Sequence, residues 1–262
     1  MTYLRTLWLA MLVLPLVSPA QDSHRFDNGV LSLRYLEAGD GPAILLLHGF
    51  SGSAEGLYVS PGTFGTLVDA GYRVIALDQR GHGQSDKPYE AASYGLEMVE
   101  DVRRLLDHLG IDRVHLVGYS MGGKVAATFR AQYPERLLSV TLGGYGWPWQ
   151  SAAVTIDAAR ERLANRTVLP GNDLDALAAV STGMHRLTPT EDAVRENTVP
   201  ALAIIGDRDE VVPRSDYDAL VATMPMITSV IIPGTHAGPD GAPYKPVFAR
   251  EILAFLETLA DQ

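Results

Sequence analysis

The feature that most constrains this chain is a serine flanked by glycines, at the junction of an apolar run and a helical pattern. The run Arg113 to Val117 predicts a buried strand, Gly118-Tyr119-Ser120-Met121-Gly122 follows it, and a helical pattern covers Ser120 to Tyr133. Glycines around the serine let strand and helix approach each other without side-chain clash. Such a turn exposes the hydroxyl at a helix N-terminus, where partial positive charge favours an anion. A turn that merely needs small residues is the alternative, and the strand-to-helix context favours a nucleophile.

Apolar runs and helical patterns alternate along the rest of the chain. The runs cover Ala43 to Leu47, Arg73 to Leu77, Arg113 to Val117, Leu138 to Leu142, Ala201 to Ile205 and Ser229 to Ile232. Further helical patterns cover Ser93 to Leu109 and Val247 to Leu259. Because continuous apolar strands are typical of parallel sheets, we expect an α/β fold with a mostly parallel central sheet and helices on both faces. Before the first run, Asn28-Gly29 predicts a hairpin with a two-residue turn.

An insertion at about residues 145–198 interrupts this alternation with several short helical patterns. Long insertions inside a compact domain are usually functional, so we expect a short helical lid over the carboxyl ends of the strands. The apolar residues Trp147, Trp149, Met184 and Leu187 are candidates for a substrate wall and equally for the core of the lid.

The first twenty residues have the order of a secretory signal peptide. Arg5 precedes an almost purely apolar run, Leu7 to Val17, and the small residues Ser18-Pro19-Ala20 close it. A membrane anchor is the alternative, but about a dozen apolar residues fall short of the roughly 20 that span a bilayer. We therefore expect residues 1–20 to be removed, leaving a secreted or periplasmic domain of residues 21–262 without a stable membrane anchor.

Charge and cysteine content exclude several classes of function. The net charge is −10 and no basic stripe is present, which argues against nucleic acid as a partner. The chain has no cysteine, so a thiolate metal site and a cysteine nucleophile are both excluded. Neither a metal nor an organic cofactor is implied, a small molecule is the expected partner, and the oligomeric state is left open.

A serine nucleophile needs a base and a carboxylate that orients the base. His236 follows the last apolar run within Gly234-Thr235-His236-Ala237-Gly238, where a loop can deliver its imidazole to the sheet edge. Asp209 is the first candidate for the acid because it lies further out in the turn after the preceding run. Asp207 is the second candidate and is expected to cap that turn, and Glu210 is the third.

A Gly-rich turn after the first buried run supplies candidates for stabilising an oxyanion. His48-Gly49-Phe50-Ser51-Gly52 ends this run, and the backbone N–H groups of Phe50 and Met121 could converge on one oxygen atom. We interpret His48 as structural, holding the turn by hydrogen bonds.

These motifs, together with the stretch from Asp78 to Pro88, resemble the α/β-hydrolase superfamily in its serine-nucleophile, esterase- and lipase-like branch. The resemblance implies Ser120 as nucleophile, His236 as base, Asp209 as its orienting acid, and Phe50 and Met121 as oxyanion donors. Two departures leave the substrate-binding residues unassigned: Ala237 stands where many members have an aromatic residue, and the insertion is short.

An activated serine beside oxyanion donors performs acyl transfer. The sequence thus predicts an exported hydrolase that cleaves a carboxylic ester through an acyl-enzyme on Ser120. The alternatives with the same triad are a C–C bond, lactone or thioester hydrolase, an acyltransferase and a perhydrolase. A binding protein without turnover is the alternative from another class.

Overall fold

The structure is a computed structural model that describes residues 21–148, 151–165 and 168–260. The strands are β1 (Asp22–Asp27), β2 (Ser32–Ala38), β3 (Ala43–Leu47), β4 (Arg73–Leu77), β5 (Val114–Tyr119), β6 (Leu137–Gly143), β7 (Ala201–Gly206) and β8 (Ile227–Ile232). The helices are α1 (Thr63–Asp69), α2 (Leu96–His108), α3 (Met121–Gln132), α4 (Ile156–Leu163), α5 (Leu174–Gly183), α6 (Glu191–Arg195), α7 (Arg214–Thr223) and α8 (Pro246–Ala260). The predicted signal peptide and Trp149 lie outside the described residues. Within the described ranges, no helix is both long and apolar enough to cross a membrane.

The strands form one eight-stranded sheet in the order β1-β2-β4-β3-β5-β6-β7-β8. Strands β3 to β8 run parallel to their neighbours among themselves, and β1 and β2 are antiparallel to theirs. This arrangement confirms the predicted α/β fold with a mostly parallel sheet. The parallel strands all direct their carboxyl ends to one edge, which is where the predicted site residues follow.

The core consists of apolar layers on both faces of the sheet, and β3 shows how one strand feeds both. Leu45 and Leu47 belong to the layer that α2 and α3 cover, whereas Ile44 and Leu46 belong to the layer covered by α1 and α8. All four side chains are fully buried. A strand that is apolar on both sides can be buried only between two helical layers, which explains the continuous apolar run.

The predicted two-residue hairpin turn is wrong. Asp27 pairs with Ser32, so the connection between β1 and β2 is the four-residue loop 28–31. The Asn28 side chain explains the longer loop, because its Oδ1 accepts hydrogen bonds from the amides of Val30 and Leu31 at 3.0 and 2.7 Å. Its Nδ2 also donates to Asp101 on α2 at 2.6 Å, which ties the loop to the domain.

The insertion between β6 and β7 carries α4, α5 and α6. Ala159 and Leu163 on α4 pack against Leu177 and Ala178 on α5, forming a small apolar cluster of their own. Asn172, just before α5, joins this cluster to the domain because its Nδ2 donates to the carbonyl of Ser51 at 2.7 Å. The insertion therefore rests on the turn that follows β3.

Candidate active site

Ser120 occupies a sharp bend between β5 and α3 whose backbone requires its glycine neighbours. The serine has φ 54° and ψ −111°, a region that side-chain-bearing residues seldom adopt. A Cβ added to Gly118 would lie 2.1 Å from the Gly122 carbonyl oxygen, and one added to Gly122 would lie 2.1 Å from the Leu47 carbonyl oxygen. Both contacts are too short for any side chain. The close approach of β5, α3 and β3 thus holds the strained serine at the start of α3.

The structure brings Ser120, His236 and Asp209 together in one hydrogen-bonded chain. His236 Nε2 lies 2.8 Å from Ser120 Oγ, and His236 Nδ1 lies 2.7 Å from Asp209 Oδ2. The side chain of His236 is 8% exposed and that of Asp209 is 1% exposed. A neutral imidazole with its proton on Nδ1 fits these contacts, because Nε2 then accepts the hydroxyl proton of the serine.

Asp209 and Asp207 leave the end of β7 in different environments. Burial tends to raise the pKa of Asp209, but the hydrogen bond from His236 and those from the amides of Val211 and Val212 outweigh it and hold the pKa below its usual value. Asp207 is exposed, and its Oδ1 accepts from the Gly234 amide at 2.8 Å, so it holds the loop after β8. Glu210 is exposed, and no ion pair links it to another described residue.

The amides of Phe50 and Met121 are positioned beside the serine. A Cβ added to Gly49 would lie 3.4 Å from Ser120 Cβ, so the turn containing Phe50 lies directly against Ser120. Met121 is the first residue of α3, and the first amides of a helix have no intrahelical acceptor. Within the described residues, neither amide donates a hydrogen bond to a protein acceptor. Both are thus available to an oxygen atom bound beside Ser120.

His48 holds the Phe50 turn from behind, in agreement with its interpretation as structural. Its Nδ1 donates to the Gly49 carbonyl at 2.8 Å, and its Nε2 accepts from the Gln79 amide at 3.1 Å. The Gln79 side chain also donates to the His48 carbonyl at 2.6 Å. His48 is fully buried, and burial lowers its pKa. The neutral imidazole of His48 therefore makes two hydrogen bonds that fix the turn, and it does not line the cavity.

Tyr119 links the serine bend to the loop that carries the histidine. Its hydroxyl donates to the backbone carbonyl of His236 at 2.6 Å, and its ring lies 5.4 Å from the imidazole between centroids. The residue before Ser120 therefore also positions the imidazole of His236. The sequence placed Tyr119 in the pentapeptide, but nothing in the pattern indicated this contact.

Ser120 and His236 line an open cavity of about 610 Å³ whose other described walls are largely apolar. One wall comes from a five-residue π-helix, Glu55–Val59, and the residues that follow it, and the opposite wall comes from residues 237–244. Leu57, Pro61, Leu169, Pro239 and Tyr244 are among the lining residues. Of these, Leu169 alone belongs to the insertion.

The expected apolar wall from the insertion does not line this cavity. Leu187 is fully buried in the core, and the Trp147 ring nitrogen donates to the Pro189 carbonyl at 3.0 Å. Met184 lines a smaller, separate cavity, and Trp149 lies outside the described residues. No sequence pattern indicated the residues after His236 that line the cavity. No group of three or more His, Asp or Glu residues within the described ranges could hold a metal ion.

Comparison with known proteins adds a family and several relatives. Residues 42–197, more than half of the chain, match the family described as alpha/beta hydrolase fold. A 2-hydroxy-6-oxo-6-phenylhexa-2,4-dienoate hydrolase of Comamonas testosteroni is 45% identical over 114 residues, covering 44% of this chain and 40% of that protein. A 2-hydroxy-6-oxononadienedioate/2-hydroxy-6-oxononatrienedioate hydrolase of the same organism is 41% identical over 110 residues, covering 42% of this chain and 38% of that protein. The chain thus spans about two fifths of the length of these relatives.

Solved structures match over most of the chain. A bromoperoxidase from Bacillus anthracis superposes with a TM-score of 0.74 at 23% identity, covering 90% of this chain and 100% of that one. A thermophilic esterase from Thermogutta terrifontis superposes with a TM-score of 0.73 at 22% identity, covering 91% of this chain and 99% of that one. At these identities the likeness shows the fold. The family match over more than half of the chain, together with the sheet order and the serine bend, shows that the chain belongs to the α/β-hydrolase family.

Proposed function

We propose that this protein is a serine hydrolase that breaks a bond to a carbonyl carbon through an acyl-enzyme on Ser120. The observation that carries the proposal is the hydrogen-bonded chain of Ser120, His236 and Asp209, at the edge of an apolar cavity and beside two available backbone amides. A nucleophile, an oriented base and oxyanion donors within one site are the parts that acyl transfer requires.

The reaction follows from these contacts. Ser120 Oγ attacks the carbonyl carbon while its proton passes to His236 Nε2, and Asp209 stabilises the imidazolium. The carbonyl oxygen becomes an oxyanion that accepts hydrogen bonds from the Phe50 and Met121 amides. His236 then gives the proton to the leaving group as its bond to the carbonyl carbon breaks. Water attacks the acyl-enzyme by the same steps, releasing a carboxylic acid and restoring Ser120.

A carbon–carbon bond next to a ketone is the first candidate for the bond that breaks. Its support is the similarity to the two Comamonas testosteroni hydrolases, whose names specify 6-oxo-dienoate substrates. In this reaction the leaving group is a carbon atom, which takes the proton from His236 when the bond to the acyl carbon breaks. The acyl carbon then gains a hydroxyl group from water.

A carboxylic ester is the second candidate, and the cavity supports it. A dienoate carries a carboxylate, whose burial is favourable only beside a positive charge or several hydrogen-bond donors. The described residues that line the cavity include neither lysine nor arginine, and an ester without charge needs neither. Lactone and thioester hydrolysis, transfer to an alcohol and perhydrolysis would use the same groups.

Two substrates and one variant test these proposals. We expect purified protein to react with a fluorophosphonate probe at Ser120, whereas a binding protein without turnover would not be labelled. Consumption of 2-hydroxy-6-oxo-6-phenylhexa-2,4-dienoate and release of 4-nitrophenol from 4-nitrophenyl acetate are then compared as kcat/KM. A higher kcat/KM for the dienoate supports C–C hydrolysis, and a higher value for the acetate supports ester hydrolysis. Turnover that persists in Ser120→Ala would contradict both.

Export is a separate proposal, which rests on the order of residues 1–20. We expect the mature chain to begin at Gln21 and to accumulate outside the cytoplasm. Mass spectrometry of the N-terminus after expression in a bacterium tests this expectation. A chain that keeps Met1 in a cytoplasmic fraction would contradict it.

A further inference from the structure

A second cavity shares Phe50 with the main cavity. Its volume is about 300 Å³, and its described walls include Phe50, Val154, Arg162 and Ser181. A neighbouring cavity of about 190 Å³ shares all four of these residues. Of the described residues that line the main cavity, Phe50 alone also lines these two. Phe50 is therefore the residue shared by the space beside Ser120 and the space lined by the insertion.

The Phe50 ring is held in place on several sides. It packs against the main core and against the apolar cluster of α4 and α5. It also meets the buried ring of His82 edge to face, with centroids 5.9 Å apart and an interplanar angle of 79°. A ring fixed by packing on both sides acts as a rigid partition.

The two cavities differ in charge. The described lining of the main cavity holds no lysine or arginine, whereas Arg162 lines the second one. Arg162 forms no ion pair with another described residue, although Arg160 on the same helix pairs with Asp157 and Asp175. The second cavity thus carries a cation able to bind a carboxylate.

Phe50 has two separable parts. Its amide belongs to the main chain and persists in any variant other than proline, whereas the ring is specific to phenylalanine. We propose that the ring is a specificity-determining wall, which closes the Arg162 cavity to the substrate and so limits the length of the acyl group that Ser120 accepts. This inference rests on the proposed serine hydrolase.

The test compares 4-nitrophenyl esters of increasing acyl length in the wild type and in Phe50→Ala. We expect the ratio of kcat/KM for decanoate to that for acetate to rise about tenfold or more in the variant, because the opened space lets added methylenes leave water. Ratios within one protein cancel any general loss of activity. Phe50→Leu, which keeps a smaller side chain in the wall, is expected to give an intermediate rise and serves if the alanine variant does not fold.

A matched pair of esters shows where the longer chain goes. In Phe50→Ala, the mono-4-nitrophenyl ester of decanedioic acid should gain about fivefold over 4-nitrophenyl decanoate through the charge-assisted contact with Arg162. Adding Arg162→Gln should remove this gain. Adding Arg160→Gln should leave it, because that arginine is already paired with carboxylates. Leu57→Ala, which widens only the main cavity, should give no Arg162-dependent gain.

The results separate this inference from the function beneath it. An unchanged length profile in both Phe50 variants, or a gain that survives Arg162→Gln, overturns the wall while Ser120-dependent turnover of acetate stands. Absence of Ser120-dependent turnover of every ester and of the dienoate instead overturns the proposed function.

Discussion

Two regions near the site carry histidines, and they use them in opposite ways. In the turns after β3 and β4, His48 and His82 are fully buried with their rings 5.1 Å apart. In the loop after β8, His236 bridges a carboxylate and a hydroxyl. His82 instead contacts the Arg80 carbonyl through Nδ1, and burial lowers its pKa to about 3.

The difference lies in the group that contacts Nδ1 of each imidazole. A carboxylate beside Nδ1 stabilises the charged imidazolium that a base becomes after taking a proton. In the buried turns, burial lowers the pKa of His48 and His82 and so favours the uncharged ring, although the carbonyl beside each Nδ1 acts in the opposite direction. A histidine is therefore not identified as the base by its proximity to the serine. The group that contacts its Nδ1 identifies it.

Removing the hydroxyl has the largest expected effect, because it leaves His236 with nothing to deprotonate. We expect Ser120→Ala to lower kcat by at least about 10⁴-fold, in line with loss of a serine nucleophile in other hydrolases. The melting temperature should stay the same or rise slightly. Steady-state turnover of the preferred substrate and a thermal melt measure the two quantities. Retained turnover in purified variant would place the nucleophile elsewhere.

Replacing Asp209 tests directly whether it is the partner that His236 requires. Asp209→Asn keeps the shape but removes the charge that orients and stabilises His236, so we expect kcat to fall by about 10³- to 10⁴-fold. Asp207→Asn is the matched control, because its retained Oδ1 still accepts the Gly234 amide, and a loss below about tenfold is expected. The measurement is kcat for both variants on one substrate. The opposite ranking would give Asp207 the role of the acid.

A smaller effect is expected from the contact that aligns the imidazole. Tyr119→Phe removes the hydroxyl that donates to the His236 carbonyl and leaves the ring in place. One hydrogen bond contributes about 0.5–1.5 kcal/mol, so kcat should fall by about 3- to 10-fold with little change in KM. A rise in KM with constant kcat would show instead that Tyr119 acts on substrate binding.

The buried pair is expected to act on stability rather than on rate. His82 is neutral when folded and gains a proton when unfolded below its ordinary pKa of 6.5, so its contribution to stability is present above that pH. It is lost progressively as pH falls towards about 3. The neutral variant His82→Gln should therefore lose less unfolding free energy between pH 7 and 4, by up to about 1.4 kcal/mol per pH unit. Urea unfolding at several pH values measures the slopes, and identical slopes would assign the acid sensitivity to groups other than His82.

Much of the fold could be predicted from the sequence because buried parallel strands appear in it as continuous apolar runs. The prediction for β3 matches its observed bounds, Ala43–Leu47, and that for β4 matches Arg73–Leu77. The bounds differ where tertiary contacts decide. Strand β5 continues through Gly118 and Tyr119, which pair with β6 although the pattern assigned them to the turn. The loop after β1 is longer than predicted because the Asn28 side chain bonds its own backbone.

The residues of the site that follow strands could be predicted from the sequence, whereas those that line the cavity could not. Ser120, Asp209 and His236 each follow a strand, and parallel strands bring their carboxyl ends together, so sequence order predicted their proximity. The cavity wall depends instead on how residues 55–61 and 237–244 fold, and neither segment has a periodic pattern. The apolar residues of the insertion were candidates for the wall and equally for a core, because apolar side chains serve both; Leu187 is buried in the core.

Within the part of the chain that the structure describes, strand β8 is the last of the sheet and pairs with β7 alone. Asp209 follows β7 and His236 follows β8, so two of the three proposed catalytic groups depend on the last two strands of the sheet. Ser120 follows β5, which lies inside the sheet. The edge of a sheet opens locally at a lower cost in free energy than its centre does. Inactivation by heat or urea should then precede the loss of the sheet as a whole. The time for which this protein stays active would then depend on its least stable strands, and stabilising β7 and β8 would prolong activity more than improving the core.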